Sequence, residues 1–424
     1  MKSKNFLRIA LLCLAGLALP LNGSAAEVLL GADVQGLLDY ARGNPEYAAM
    51  RYEADAAAQR VYPASALPDP LFRMELQNIT NAGSDASPSL LPSKVGSTKY
   101  TLVQPLPFWG KRDLRREVAE ADAEQARGRV ELTWSELAAS VKTSYARYYL
   151  IVHNELLICE ILDLLVRLER IALVRYESGL APQQDVIRAQ VELTTMRGEL
   201  LMLESEREGL QAMLNSLLAR RSSTPFATPE RLRPVPAPVR MEPDVLVDRL
   251  RSHNPQLFTG DARIRAAEKN RELTYRNRYP DFAIGVSPIQ MGSRISEWEL
   301  MVEVNIPLQQ ESRRRQESEA ESILSAARSQ KEAAANRLIG ELLENVAGLK
   351  AAQRLEMLTA TSLLPQSEAT LQAALAGYET GKVDFATLLD AQRQIRKSKQ
   401  DRLKAQAEAQ TRLATIERLL GEDL

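Results

Sequence analysis

Four stretches of the chain alternate between apolar and polar positions, and the rest does not. In 298–306, WELMVEVNI, Trp298, Leu300, Val302, Val304 and Ile306 share one face. Glu299, Met301, Glu303 and Asn305 share the other. In 71–79, LFRMELQNI, Phe72, Met74 and Leu76 alternate with Arg73, Glu75 and Gln77. A period of two is the signature of a strand with unlike faces. Segments 98–106, TKYTLVQPL, and 282–287, FAIGVS, are further strand candidates. The stretches between partners, 80–96 and 288–296, are rich in Ser, Gly, Asn and Pro and read as loops.

Elsewhere the pattern is helical. A first helix is expected from the cap Asp33 to Tyr62, just before Pro63. Lys111 to Tyr176 contains no proline and one glycine, Gly128. That is roughly 100 Å of helix at about 1.5 Å per residue. A matching run from Arg313 to Tyr378 is interrupted only by Pro365. The helices before the strands and after the breaks are shorter, about 30 and about 40 residues, and end to end they match one long helix. Helices this long with Ala-rich faces need lateral packing.

The pattern repeats. YESGLAPQQDVIRAQ at 176–190 returns as YETGKVDFATLLDAQ at 378–392. At the same offset Pro105-Leu106 returns as Pro307-Leu308 and Lys111-Arg112 as Arg313-Arg314. Asn44-Pro45 and Asn254-Pro255 form another echo, as do Tyr62-Pro63 and Tyr279-Pro280. The expected division is a secretory signal peptide at 1–26 and repeat one at 27–221. Repeat one holds a helix, a strand pair near 70–107, a long helix 111–177, a tip and a helix 182–221. A proline-rich linker at 222–243 leads to repeat two, 244–424, with a strand pair near 281–307. Its long helix is 311–379 and, past the tip, its last helix is 384–421. The signal peptide rests on Lys2, Lys4 and Arg8 before the apolar run Ile9 to Leu21, then Ser24-Ala25-Ala26. Leu12 stands before Cys13 where a lipobox takes a small residue, so lipidation is not expected.

Composition narrows the functions. Lys and Arg total 54 against 55 Asp and Glu, which gives no general case for nucleic-acid binding. His153 and His253 lie far apart and Cys159, read as a core residue, is the one cysteine after the leader, so neither a metal site nor a cofactor is expected. There is no Gly-rich phosphate loop and no nucleophile–base set, so the chain reads as no enzyme.

Four strands with one apolar and one polar face suit a β-barrel wall between lipid and water. They would equally suit a small soluble sheet with one face on helices. Four strands cannot close a barrel, and open edges cannot sit in hydrocarbon, so the membrane reading requires several chains. Three would supply twelve strands.

The chain resembles the TolC-like outer-membrane efflux family. The residues that carry the likeness are Leu67-Pro-Asp-Pro, Gln104-Pro-Leu-Pro-Phe-Trp-Gly-Lys-Arg112 and the twin tips. LPDP with QPLPFWGKR looks more like the heavy-metal resistance branch than the drug branch. The resemblance implies a mainly α protein with a small antiparallel β part. Four strands per chain would complete a twelve-stranded barrel in a homotrimer, continued by a long periplasmic α-helical barrel. It implies docking to a periplasmic membrane-fusion adaptor and an inner-membrane pump of the RND type, with no cofactor. By the same resemblance, Gly179, Leu180, Gly381 and Lys382 fall where tips mesh with adaptor hairpins. Asp185, Tyr378 and Asp390 fall on gate positions. Thr387 and Val383 depart from the family pattern there, with Arg188 and Lys382 as compensating cations. Phe108, Trp109, Trp298, Arg112 and Arg314 are expected at the membrane interface, where aromatics gather and basic side chains, Lys111, Arg115 and Arg116 included, reach lipid phosphates. Cation, drug and peptide export stay open, as does a periplasmic coiled-coil adaptor or scaffold.

Overall fold

Two Asn-Pro pairs govern how each half of the chain begins. Proline cannot donate a backbone hydrogen bond and holds the preceding residue out of the helical region. Asn44 is accordingly extended, at ψ 130°, and its side chain accepts from the Glu46 N–H at 2.7 Å. The expected first helix is therefore divided into α1 (Val34–Ala41) and α2 (Pro45–Gln59); a further break at Arg60 sets off α3 (Val61–Ser65), which runs through Pro63 rather than ending before it, since a proline is tolerated in a helix's first turn. The computed structural model describes residues 29–80 and 88–424, so the expected leader lies outside it.

The strands follow the alternation. β1 (Leu71–Gln77), β2 (Ser97–Leu106), β3 (Asp281–Met291) and β4 (Arg294–Asn305) form one antiparallel sheet in the order β1-β2-β3-β4. The segment 288–296, expected as a loop, instead extends both strands to a two-residue turn at Gly292-Ser293. Gly292 takes φ +60°, which a tight hairpin demands. Register places Phe72, Leu102, Val286 and Leu300 across one face, continued by Ile284 and Val302. Trp298 (68 %) and Leu300 (73 %) stand exposed there, so no helix among the described residues covers this face. The other face carries Glu75, Glu299 and Glu303 against Arg73 and Lys99, with Lys99 paired to Glu299. The soluble-sheet alternative needed a covered apolar face and does not describe this chain.

The remainder is helix. α4 (Lys111–Glu177) runs unbroken into the first tip, and α5 (Gln183–Leu217) returns beside it. The linker crosses without regular structure to a 3-10 turn, Pro238–Met241. Phe226 of the linker is buried against Leu214 and Leu218, and Arg233 grips the Glu417 carboxylate with two bonds of 3.0 Å. α6 (Pro243–His253) and α7 (Pro255–Arg276) open the second half. α8 (Gln310–Leu358), a π turn over Thr359–Leu363, and α9 (Leu364–Glu379) replace the long helix expected there. Pro365 lacks the N–H its turn needs, and the wider turn before it absorbs the mismatch. α10 (Phe385–Leu420) closes the chain, packing on α4, α8 and α9. Cys159, expected in the core, is exposed; Leu157, Ile158 and Ile161 hold the inward stripe of α4 and leave Cys159 outside it. No helix among the described residues is long and apolar enough to cross a membrane.

The two Asn-Pro motifs also tie each half shut. The Asn44 amide donates to the Leu217 carbonyl at 2.8 Å, and the Asn254 amide to the Leu419 carbonyl at 2.7 Å. Asn254 also caps α7 through the Leu257 N–H at 2.9 Å. One side chain thus starts a helix and holds the end of another. Asn254→Ala loses both contacts and should cost about 2 kcal/mol, half from the cap and half from the clamp. Asn254→Ser keeps a cap and should cost about 1 kcal/mol. Equilibrium unfolding of the two variants checks the order; equal losses would contradict the double role.

Candidate functional site

The two tips are built alike because their sequences demand the same turn. Gly179 and Gly381 adopt φ +72° and +74°, the left-handed conformation that ends a helix at little cost for glycine. The Leu180 N–H then reaches back to the Arg175 carbonyl at 2.7 Å, and the Lys382 N–H to the Gly377 carbonyl at 2.8 Å. Gly179, Leu180, Gly381 and Lys382 are all exposed at this end. The following helices start differently. Pro182 precedes α5 without a side-chain cap, whereas Asp384 accepts from the Thr387 N–H at 2.8 Å and caps α10. Bonds from Thr387, with Arg188 nearby, hold the Asp384 carboxyl below its ordinary range.

Between the tips the structure brings two of the gate candidates together. Tyr378 is 2 % exposed and Asp185 8 %, and the phenol donates to the carboxylate at 3.3 Å. Burial first, then the Asp185 charge, pushes the phenol up to about 12. Tyr378 packs on Phe385 with ring centroids 5.2 Å apart. Arg175, which the sequence reading did not single out, joins both tips. It donates to the Glu379 carbonyl at 2.8 Å and to the Leu180 carbonyl at 3.3 Å, and lies 5.0 Å over the Tyr378 ring. Its counterpart in the second copy is Gly377, against which Val383 packs. That divergence at an aligned position was the signal available in the sequence.

The other two gate candidates stand apart from this latch. The Asp390 side chain is 75 % exposed and 3.6 Å from Arg393, which is itself held by the buried Glu192 at 2.6 Å. Arg188 is exposed.

At the opposite end, the strand-to-helix turn holds most of the expected membrane-interface residues. Phe108 stacks on Tyr279 at 4.6 Å, and its N–H donates to Asp281 at 2.8 Å. Trp109 is 75 % exposed and leans on Phe282. Arg112 donates through Nε to the Ser65 carbonyl at 2.7 Å, and Arg314 is exposed. Trp298 projects from the apolar face nearer the β3–β4 turn. Lys111 corrects the sequence reading: it is buried rather than reaching outward. Its ammonium donates to Asp281 at 2.8 Å and to the Tyr279 carbonyl at 3.0 Å. A buried lysine needs such partners, because an unpaired charge there is costly. Among the described residues no group of His, Cys, Asp and Glu is placed to hold a metal.

The solved channel VceC of Vibrio cholerae is similar in fold, with a TM-score of 0.78 at 16 % identity, covering 92 % of this chain and 96 % of that one. The channel-forming protein CusC gives 0.78 at 17 % identity and 93 % coverage of both chains. The outer-membrane channel OprN gives 0.76 at 18 % identity, over 92 % of this chain and 89 % of its own. By sequence, the cobalt-zinc-cadmium resistance protein CzcC of Cupriavidus metallidurans is 25 % identical over 339 residues, 77 % of this chain and 78 % of the relative. Residues 39–220 and 246–422 both match the outer membrane efflux protein family. The long paired helices, the four-stranded sheet with an uncovered apolar face and the twofold match agree: this chain belongs to the outer membrane efflux protein family, the non-enzymatic outer-membrane channels of tripartite efflux systems.

Proposed function

We propose that this channel exports divalent heavy-metal cations and is gated at its helical tips. The observation that carries the gate is the latch formed by Arg175, Tyr378 and Asp185. The guanidinium's bond to the Glu379 carbonyl, its place over the Tyr378 ring and the phenol–carboxylate bond hold the two hairpins of a chain together at their free ends, while its bond to the Leu180 carbonyl braces its own tip. Such bonds are made in one arrangement of the helices and broken in another, which is what a two-state gate requires. Asp390 does separate work. Exposed and only loosely paired, three copies around a narrow entrance repel one another and attract cations. Arg188 sets the charge beside Asp384 at the neighbouring turn. Gly179, Leu180, Gly381 and Lys382 form the surface a periplasmic adaptor would meet, with Leu180 67 % exposed and free to enter an apolar notch. An inner-membrane pump of the RND type would supply the energy.

The cation reading draws on two supports. The printed name of the CzcC relative is that of a cobalt-zinc-cadmium resistance protein. The polar face of the sheet holds more carboxylates than cations, since Glu75, Glu297, Glu299 and Glu303 face Arg73 and Lys99. A water-filled lumen lined this way favours positive ions.

Purified trimers in planar bilayers test the gate. Tyr378→Phe removes one hydrogen bond to a charged group, about 1.5–3 kcal/mol, and should raise the open fraction more than tenfold. Arg175→Ala removes more contacts and should open the channel at least as far. Unchanged conductance in both variants would contradict the latch. Asp390→Asn should lower the preference for cations, read as the reversal potential in a salt gradient. An unmoved potential would remove Asp390 from the account. Deleting the chain from its host should abolish tolerance to cobalt, zinc or cadmium and spare drug tolerance; the opposite pattern would replace metal export with drug export.

A further inference from the structure

Where β2 gives way to α4, a cleft of about 560 Å³ opens on the apolar side of the sheet. Its floor is Phe282, Ile284 and Val302, residues of the face that meets hydrocarbon. Its mouth is of another character. Trp109, Arg112, Asp113 and Arg116 gather there, at the first turn of α4. Gly110 precedes that turn and offers no side-chain cap, so the free N–H groups of the turn add positive character to the mouth.

The two guanidiniums are incompletely used. Arg112 is held to the Ser65 carbonyl through Nε alone, and its terminal nitrogens make no hydrogen bond among the described residues. Arg116 lies 4.0 Å from Asp113 and 3.6 Å from Glu120, distances too long for strong hydrogen bonds. The matching turn of the second repeat has a different lining. Gln310 and Glu311 stand where Phe108 and Trp109 stand in the first, and Glu311 pairs with Arg315 at 3.0 Å. That turn therefore lacks the aromatic pair that borders the cleft of the first repeat.

We propose that the cleft binds a glycerophospholipid of the surrounding membrane. The phosphate lies between Arg112 and Arg116, where two planar guanidiniums offer paired donors to its oxygens. An acyl chain runs along Phe282, Ile284 and Val302, and Trp109 covers the boundary between headgroup and chain. Asp113 beside the arginines accepts from the amine of an ethanolamine headgroup. A free inorganic anion would satisfy the arginines and leave the apolar floor bare, whereas a phospholipid satisfies both. Continuity of the floor with the hydrocarbon-facing strip selects a lipid over a protein partner. The site rests on the outer-membrane placement of the sheet, and a lipid seated there would fix the depth at which barrel passes into helices.

Native mass spectrometry of the full-length trimer with added phosphatidylethanolamine tests this. The wild type should retain up to three lipids per trimer. Arg116→Gln with Trp109→Ala should weaken retention about tenfold, the equivalent of roughly 1.4 kcal/mol. Arg167→Gln, at an exposed position far along α4 from the sheet, should leave retention unchanged. If the double variant fails to assemble, Arg116→Gln alone reads the same loss, because its contacts are long. Equal retention in wild type and variants would overturn the proposal, as would displacement of the lipid by excess inorganic phosphate. A chain that forms no trimer would instead strike at the channel reading, so the two failures are distinct.

Discussion

Everything in this molecule follows from a sheet that one chain cannot finish. β1 and β4 each leave one edge of backbone N–H and C=O groups without strand partners. One face of the same sheet is apolar and uncovered, with Trp298 and Leu300 among its exposed residues. In water an apolar face of this size is costly, and in hydrocarbon the open edges are. Copies of the chain joined edge to edge resolve both costs, because closure pairs every edge and turns the apolar face to lipid. Antiparallel strands in the order β1-β2-β3-β4 leave β1 free to pair with β4 of the next copy.

The helices extend that constraint away from the membrane. A closed ring of strands fixes where α4 and α8 leave it, and the buried Lys111, paired with the part-exposed Asp281, fastens the departure of α4 to the start of β3. From there α4 runs 67 residues without a break. The Asn-Pro clamps and the strapped linker hold the middle, where two buried clusters lie, one with tyrosines and Phe226 and one wholly aliphatic with Met241. A third cluster reaches the tips, ending at Phe385 and Tyr378. There Arg175 donates to backbone carbonyls of both tips. The π turn at Thr359–Leu363 interrupts the helical run between α8 and α9, where α4 has no such interruption.

Much of the architecture was legible because strands and helices print different periods on the chain. Alternation at 71–79 and 298–306 located the sheet, and uninterrupted Ala- and Leu-rich runs located the long helices. Features that depend on partners distant in sequence were not legible. Lys111 looked like one more outward base in a basic cluster; only the fold brings Asp281 and the Tyr279 carbonyl to it. Cys159 sits in an apolar run, but each residue step turns the helix by about 100°, and the step from the buried Ile158 carries it outward. Arg175 had no visible partner, since its acceptors are backbone carbonyls of both tips. Tyr378 and Asp185 were singled out through family resemblance, and the structure places them in contact; their function is a matter for channel recordings. The hairpin at Gly292-Ser293 is hidden in the sequence because the Ser, Gly and Pro content of 288–296 signals a loop.

The measurement that bears most directly on closure by several chains is the mass of the protein after extraction from membranes in mild detergent. Closure predicts that detergent is required and that the extracted species is a trimer. A stable monomer, or native protein released by osmotic shock without detergent, would contradict it.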